Sequence, residues 1–219
     1  MILNVKKPKG MTSHDVVDEI RKITGEKRVG HAGTLDPFAT GVLIIATTRE
    51  DTKKLGNIAK NTKKEYVATL ELGKISTTGD PEGTIKPFAD NLVSLSYPRL
   101  NRVKDILKLF IGEIMQTPPS YSAIKVNGVP AYKLARKGKN VKLSSRKVII
   151  EKIDLLLYNP PFLKIRVVCG SGTYIRSLAK DIGEKLGCGA YLTELERTRV
   201  GNFKIEDSIP LKKLSQAKL

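Results

Sequence analysis

The sequence has no tryptophan and only two cysteines and two histidines among its 219 residues. Cys169, Cys188, His14 and His31 do not have the spacings of a structural zinc site, so we expect no bound metal. We expect both thiols to be reduced and buried in a cytoplasmic protein.

Long apolar runs are missing as well. No run approaches the ~20 residues that a membrane-spanning helix needs, and the first residues lack the apolar core of a signal peptide. We therefore expect no membrane attachment. Phe, Trp and Tyr make up only 5% of the chain, and several stand beside charged or glycine-rich motifs, where an aromatic ring could stack on a ligand.

Positive charge is what the sequence has in excess. Lys and Arg number 39 against 22 Asp and Glu, which gives a net charge of +17 and an isoelectric point near 9.8. Such a balance favours a polyanionic partner, most commonly nucleic acid. The alternative is a lysine-rich, solvated surface of the kind found in heat-adapted proteins.

Hydrophobic periodicity predicts an α+β fold with a mixed, largely antiparallel sheet flanked by helices, because helices and strands do not alternate regularly. The region 112–147 has little apolar periodicity, and we interpret it as a projecting lobe. Predicted helices cover residues 12–25, 50–60, 99–111, 131–136 and 172–186, with a short one from residue 210. Predicted strands cover residues 1–6, 42–46, 66–73, 148–158 and 163–169 and the neighbourhood of 192–195, and residues 74–84 are predicted to be a polar loop.

A single carboxylate, Asp36, stands in a glycine-bracketed loop that runs directly into the apolar strand at residues 42–46. Gly33 and Gly41 permit tight backbone conformations, and Pro37 favours an extended backbone at Asp36. This arrangement suits a reactive acid held rigidly at the end of a strand. The alternative is an ordinary turn in which Asp36 hydrogen-bonds its own loop.

A second charged residue, Arg176, falls at the start of the predicted helix 172–186, at the edge of its apolar face. A partly buried arginine favours a carboxylate partner. If that partner is Asp36, the guanidinium keeps the acid ionised and lowers its pKa. The alternative is that this Asp–Arg pair only supports the fold. The turn Gly170-Ser-Gly-Thr, at the start of the helix, lacks the ending of a nucleotide-binding P-loop.

Taken in order, these motifs closely resemble the TruB family of tRNA pseudouridine synthases, which convert the uridine at position 55 of the tRNA T-loop to pseudouridine. The similarity runs from near residue 3 to near residue 203. Its two most specific blocks are Gly-Thr-Leu-Asp36 and Gly-Thr-Tyr174-Ile-Arg176. The other matching blocks are Lys7-Pro8-Lys9-Gly10-Met11-Thr12-Ser13, Lys64-Glu-Tyr66, Thr77-Thr78-Gly79-Asp80-Pro-Glu-Gly83, Pro118-Pro-Ser-Tyr121-Ser122-Ala123-Ile-Lys125-Val-Asn-Gly128 and Leu186-Gly-Cys-Gly-Ala-Tyr-Leu.

The resemblance implies a catalytic set of three residues. Asp36 is similar to the family's essential aspartate, which attacks the ribose C1′ or assists by elimination. Tyr66 matches the tyrosine that stacks on the target base and is placed to help deprotonate C5. Arg176 matches the salt-bridge partner of the aspartate. The family requires no metal or organic cofactor.

The resemblance also implies substrate-binding residues besides Tyr66. Tyr174 and Leu195 match positions that line the uracil pocket, and His31 matches the histidine that fills the space left by the flipped nucleotide. Lys7 matches a lysine near the pocket. The lobe at about 112–147 resembles the family's thumb, which closes over the T-arm of the tRNA.

Two positions depart from the family pattern. Family members usually have Asp-Lys-Pro where this chain has Lys6-Lys7-Pro8, and Arg-Arg where it has Glu196-Arg197.

We also expect residues 1–219 to be a single catalytic domain, acting as a monomer, without the C-terminal PUA-type module that many members carry. Two alternatives are a non-catalytic tRNA-binding or folding chaperone of the same fold, and an RNA-guided relative that works with partner proteins.

Overall fold

The computed structural model describes residues 1–88 and 97–216, and it groups them into two compact units. Unit 1 comprises Met1–Ala68, Arg166–Gly172 and Glu194–Leu219, and unit 2 comprises Thr69–Ile165 and Thr173–Thr193. The helices in the described residues are α1 (Ser13–Thr24), α2 (Arg49–Asn61), α3 (Leu100–Lys108), α4 (Ala131–Arg136), α5 (Ile175–Leu186) and α6 (Leu211–Gln216). None of these six combines the length and the apolar character required to cross a membrane.

Fourteen strands lie in the same described residues, ten of them in one mixed, mostly antiparallel sheet. The predicted α+β class with a largely antiparallel sheet is therefore confirmed. The strands are β1 (Ile2–Lys7), β2 (Gly30–Ala32), β3 (Thr40–Ala46), β4 (Lys64–Leu72), β5 (Lys74–Ser76), β6 (Ile85–Pro87), β7 (Gly112–Gln116), β8 (Lys125–Val126), β9 (Val129–Pro130), β10 (Arg146–Asn159), β11 (Phe162–Cys169), β12 (Ala190–Val200), β13 (Phe203–Lys204) and β14 (Ile209–Pro210).

The centre of unit 1 is β3, which pairs antiparallel with β1 and parallel with β12. Every residue from Gly41 to Ala46 is buried. Alternate side chains of β3 enter two different cores, because successive residues of a strand point to opposite faces. Leu43 and Ile45 pack with residues of α1 and α6, whereas Val42, Ile44 and Ala46 pack with Leu55 of α2. Coverage on both faces explains the uninterrupted apolar run that the sequence shows here.

Helix α1 begins and ends as its sequence predicts. The Thr12 side chain accepts a hydrogen bond from the Asp15 amide at 3.0 Å, and the Asp15 carboxylate accepts one from the Thr12 amide at 2.7 Å. This reciprocal capping box satisfies two amides that would otherwise lack partners. Gly25 ends the helix in the left-handed conformation, with φ of 70°. The defined start of α1 matters for the site, because Ser13 directly follows the cap.

The strands of the large sheet that lie wholly or partly in unit 2 have the order β12-β4-β11-β10-β7. Strand β7 pairs antiparallel with the first residues of β10, with Gln116 opposite Arg146 and Gly112 opposite Ile150. The first five residues of the predicted lobe at 112–147 are thus part of the sheet. Its last two residues, Arg146 and Lys147, begin β10 and also belong to the sheet. Residues 117–145 carry the small β8–β9 hairpin and α4.

The prediction of a polar loop at residues 74–84 is wrong at its start. Residues 74–76 form β5, which pairs antiparallel with β6, with Ile75 opposite Lys86. Both strands of this hairpin are largely exposed, so their side chains carry no alternation of apolar and polar residues by which a strand could be identified. The predicted helix 99–111 is also shorter in the structure, since α3 ends at Lys108.

Candidate active site

The Asp36 side chain lies half-buried in the loop between β2 and β3. The amide of Ala39 donates a hydrogen bond to the Asp36 carbonyl at 3.1 Å, which closes a turn around Pro37 and Phe38. Phe38 and Ala39 are buried. The loop is therefore anchored into unit 1 on the strand side of Asp36.

Two side chains fix the main chain on either side of Asp36. The Ser13 hydroxyl donates to the Leu35 carbonyl at 3.1 Å and accepts from the Leu35 amide at 2.8 Å. The Lys7 ammonium is fully buried and donates to the Pro37 carbonyl at 3.1 Å, as well as to two other carbonyls. Asp36 thus stands between two residues whose peptide groups are held from outside the loop, which limits the directions its carboxylate can take.

A third side chain, Arg197 of β12, joins the two ends of the loop through hydrogen bonds. Its Nε donates to the Val42 carbonyl at 2.7 Å and its Nη2 to the Gly33 carbonyl at 2.8 Å. Gly41, with φ of 103°, lies directly against Arg197, and a Cβ at this position would overlap the Arg197 main chain. Glycine at position 41 is therefore required for the close approach of β3 and β12.

The Tyr66 side chain of β4 is buried, with 8% of its surface exposed. Burial raises the pKa of its hydroxyl, and the charge of Asp36 acts in the same direction. The Arg197 guanidinium opposes both through its charge and a hydrogen bond, and so holds the Tyr66 pKa lower than burial alone would. Asp36, Tyr66 and Arg197 therefore form one electrostatic group within unit 1. Leu195, two residues before Arg197 on the same face of β12, is buried in the same unit.

His31 lies in β2, just before the Asp36 loop. One of its ring nitrogens, Nε2, is 3.2 Å from the Thr34 hydroxyl. Burial lowers the pKa of His31, and the positive charges of Arg197 and His14 lower it further. The ring is therefore neutral at pH 7 and can exchange hydrogen bonds without carrying a charge.

In unit 2, Arg176 occupies the first turn of α5 and is only 5% exposed. It donates to the carbonyls of Thr78 at 3.0 Å and Tyr121 at 2.8 Å, and its Nη1 lies 3.4 Å from a carboxylate oxygen of Asp80. Asp80 is itself buried. The sequence did not predict this buried carboxylate as a partner, and the predicted pairing of Arg176 with Asp36 stays a prediction.

Tyr174, immediately before α5, is fixed by Gln116 of β7. The Gln116 side chain accepts from the Tyr174 amide at 2.8 Å and donates to the Tyr174 carbonyl at 3.1 Å. The guanidinium of Arg146 lies over the Tyr174 ring, 5.1 Å from its centre. The main chain of Tyr174 is thus fixed by hydrogen bonds, and its ring is covered by a cation.

Sequence reasoning missed Ser13, Asp80, Gln116 and Arg197. Arg197 had a usable signal, because it follows Leu195 by two residues and a strand period of two places both on the same buried face. The other three belong to contacts between distant segments.

Across the residues that the structure describes, no group of three or more His, Cys, Asp or Glu side chains is arranged to hold a metal ion.

Solved structures of other proteins share this fold. The chain resembles one in "Crystal structure of the archaeal box H/ACA sRNP Nop10-Cbf5 complex", with a TM-score of 0.72 and 30% identity over 99% of this chain. It is equally similar to one in "Crystal Structure of a Cbf5-Nop10-Gar1 Complex", with a TM-score of 0.73 and 32% identity over 98% of the chain. It spans only 53% of the length of each of those solved chains. This chain thus shares its fold with the matched part of both solved chains.

Sequence profiles identify the family. The profile described as "TruB family pseudouridylate synthase (N terminal domain)" matches residues 21–175, and "tRNA pseudouridylate synthase B C-terminal domain" matches residues 176–219. This chain belongs to the TruB family. Relatives named tRNA pseudouridine synthase B include one from Clostridium acetobutylicum, 48% identical over 98% of this chain and 72% of the relative. Another, from Corynebacterium diphtheriae, is 45% identical over 97% of this chain and 71% of the relative.

Proposed function

We propose that this chain isomerises uridine to pseudouridine in tRNA, at position 55 of the T-loop. The observation that carries the proposal is the group of Asp36, Tyr66 and Arg197 in unit 1. The loop that carries the Asp36 carboxylate is held by Ser13, Lys7 and Arg197, and the charge of Asp36 acts on a buried tyrosine, Tyr66, in a chain that belongs to the TruB family.

The reaction rearranges one nucleotide without net gain or loss of atoms. The N1–C1′ bond breaks, a C5–C1′ bond forms, the proton on C5 leaves, and N1 takes up a proton from solvent. Breaking the glycosidic bond places positive charge on the sugar, and a carboxylate near C1′ stabilises or captures that charge, as in glycoside hydrolysis. We assign this role to Asp36. Both routes, covalent capture and assisted elimination, satisfy the same geometry.

Tyr66 supplies an apolar, aromatic surface for the detached uracil. Stacking on such a ring contributes about 1–3 kcal/mol per base. Because its pKa is raised, the phenol is protonated at pH 7. We therefore assign the stacking role to Tyr66 first. Removal of the C5 proton by Tyr66 requires its own proton to pass to another group first.

A uridine inside a folded T-loop is accessible only after it is turned out of its stack. We propose that His31 takes its place, that Tyr174 and Leu195 line the uracil pocket, that Lys7 lies near it, and that Arg176 belongs to the same site. The net charge of +17 supports tRNA binding through its phosphates. The basic residues of the thumb, Arg136, Lys137, Lys139, Lys142, Arg146 and Lys147, would contact the T-arm. The chain would act as a cytoplasmic monomer without a cofactor.

Tritium release tests this function directly. A tRNA transcript labelled at uridine C5 should lose one tritium per tRNA, and a transcript with cytidine at position 55 should lose none. An isolated T-arm stem-loop should also react, which would exclude a requirement for a guide RNA. Binding of tRNA without tritium release would favour the chaperone alternative and contradict the proposal.

A further inference from the structure

We infer that Arg197 is a positioning residue for Asp36, because its guanidinium ties together the two ends of the carboxylate loop. The inference rests on the proposed function and deepens it. Arg197 is only 1% exposed, so it is not a phosphate-binding arginine.

The hydrogen bonds of Arg197 bracket the loop. Its Nη2 binds the Gly33 carbonyl, three residues before Asp36, and its Nε binds the Val42 carbonyl, six residues after it. The Arg197 main chain also faces Gly41 in the parallel pairing of β12 with β3. One side chain and its own strand thus hold both the entry and the exit of the segment that carries the carboxylate.

The same guanidinium sets the electrostatics of the group. Burial lowers the pKa of Lys64 and of His31, and the charge of Arg197 lowers both further. The same charge opposes the rise that burial causes in the Tyr66 pKa. Tyr66 therefore experiences the negative charge of Asp36 and the positive charge of Arg197 together. Movement of Arg197 would displace the loop and change the proton affinity of Tyr66 at the same time.

Arginine is required for this geometry because its planar guanidinium presents several N–H groups in fixed directions. A lysine at position 197 keeps the charge and much of the stem, but its single ammonium cannot reproduce a fork that joins Gly33 to Val42. Arg197→Lys should therefore release one end of the loop while it preserves a buried cation.

A purely structural role for Arg197 predicts a different result. If Arg197 only stabilises the fold, its replacement lowers the folded fraction, but the molecules that still fold react at the normal rate. If it positions Asp36, the folded molecules themselves react slowly, because displacement of a reactive group by about 1 Å can reduce a rate about 100-fold. Single-turnover kinetics with enzyme in excess separate the two, because the rate constant at saturating enzyme reports only folded molecules.

The test compares Arg197→Lys and Arg197→Met with wild type on a tRNA transcript. We expect the single-turnover rate constant to fall about 100-fold, with the dissociation constant for tRNA unchanged. Lys64→Met is the matched control. Lys64 is a buried cation whose pKa the charge of Arg197 lowers. Its ammonium donates to the carbonyls of Ala59 and Thr62 rather than to the Asp36 loop. It should lower thermal stability and leave the rate constant unchanged.

A second measurement tests the route through Tyr66. In a Tyr66→Phe background the hydroxyl whose pKa Arg197 lowers is absent, so Arg197→Lys should reduce the rate by a smaller factor than in wild type. Wild-type rate constants in both Arg197 variants would overturn the inference, as would a loss confined to tRNA affinity or an equal loss in Lys64→Met. Failure of wild type to form pseudouridine would instead overturn the proposed function.

Discussion

Lys6 and Glu196 form an ion pair, with the ammonium 3.7 Å from a carboxylate oxygen. Lys6 lies on β1 and Glu196 on β12, the two strands that flank β3. These are also the two positions at which the sequence departs from the TruB pattern, which implies Asp and Arg respectively. The departures thus concern one pair of residues in contact, with the signs of the two charges exchanged.

Charge reversal tests this pair. Lys6→Glu should place two carboxylates together and lower the free energy of unfolding, and Glu196→Lys should do the same with two ammonium groups. The double variant should recover the loss. The side chains are 46% and 39% exposed, so the coupling should be about 0.2–1 kcal/mol and should decrease at high salt. Urea unfolding measures it, and two losses that simply add in the double variant would show that the pair is not coupled.

The pair of Arg176 and Asp80 should behave differently, because both side chains are buried. Arg176→Met leaves Asp80 as a buried charge without this partner and should reduce the free energy of unfolding by about 3–5 kcal/mol. Arg176→Met combined with Asp80→Asn should lose less than the sum of the single changes. Chemical denaturation of the four proteins gives the coupling, and strict additivity would contradict it.

Stability should depend on pH through His31. Its pKa lies below the unfolded value near 6.5, so in that range the unfolded chain binds more protons than the folded chain. The free energy of unfolding should therefore fall as the pH decreases below about 6.5 toward the folded pKa, by at most about 1.4 kcal/mol per pH unit. His31→Gln should remove this slope. His14→Gln, at a side chain that is 69% exposed, should retain it, and the opposite pattern would refute the assignment.

Close approach at Gly41 gives a steric prediction. Gly41→Ala combines a positive φ with overlap against Arg197 and should reduce the free energy of unfolding by about 3 kcal/mol or more. Gly25→Ala is the matched control, since Gly25 also has a positive φ, but its added Cβ would meet no atom of the described residues within 4 Å. It should lose only about 1–2 kcal/mol. Equal losses in thermal unfolding would show that conformation alone explains both positions.

Local signals in the sequence predicted much of the fold. Thr12 and Asp15 gave the start of α1, Gly25 gave its end, and the apolar run at 42–46 gave β3, because caps and burial act over a few residues. Helix α4 was predicted with its observed bounds, and β10 and β11 within a few residues of theirs. The glycine-bracketed loop indicated Asp36 as a candidate, and the resemblance to the TruB family gave it a role and added Tyr66, His31, Tyr174 and Leu195.

Residues that act over long separations could not be predicted in the same way. Arg197 binds carbonyls 155 and 164 residues away, and Arg176 binds a carbonyl 98 residues away. No periodicity in a short window encodes such pairs. The exposed β5–β6 hairpin was missed for a different reason, because main-chain pairing holds it and its side chains carry no pattern.

Replacement of Asp36 by asparagine tests the central claim most directly, because it preserves shape and removes the negative charge. Asp36→Asn should bind tRNA as wild type does, yet its single-turnover rate of pseudouridine formation should fall by at least about 10⁴-fold, a modest share of the acceleration that enzymes provide. Asp105→Asn, at an exposed carboxylate of α3, should react normally. Tritium release from Asp36→Asn at the wild-type rate would contradict the account.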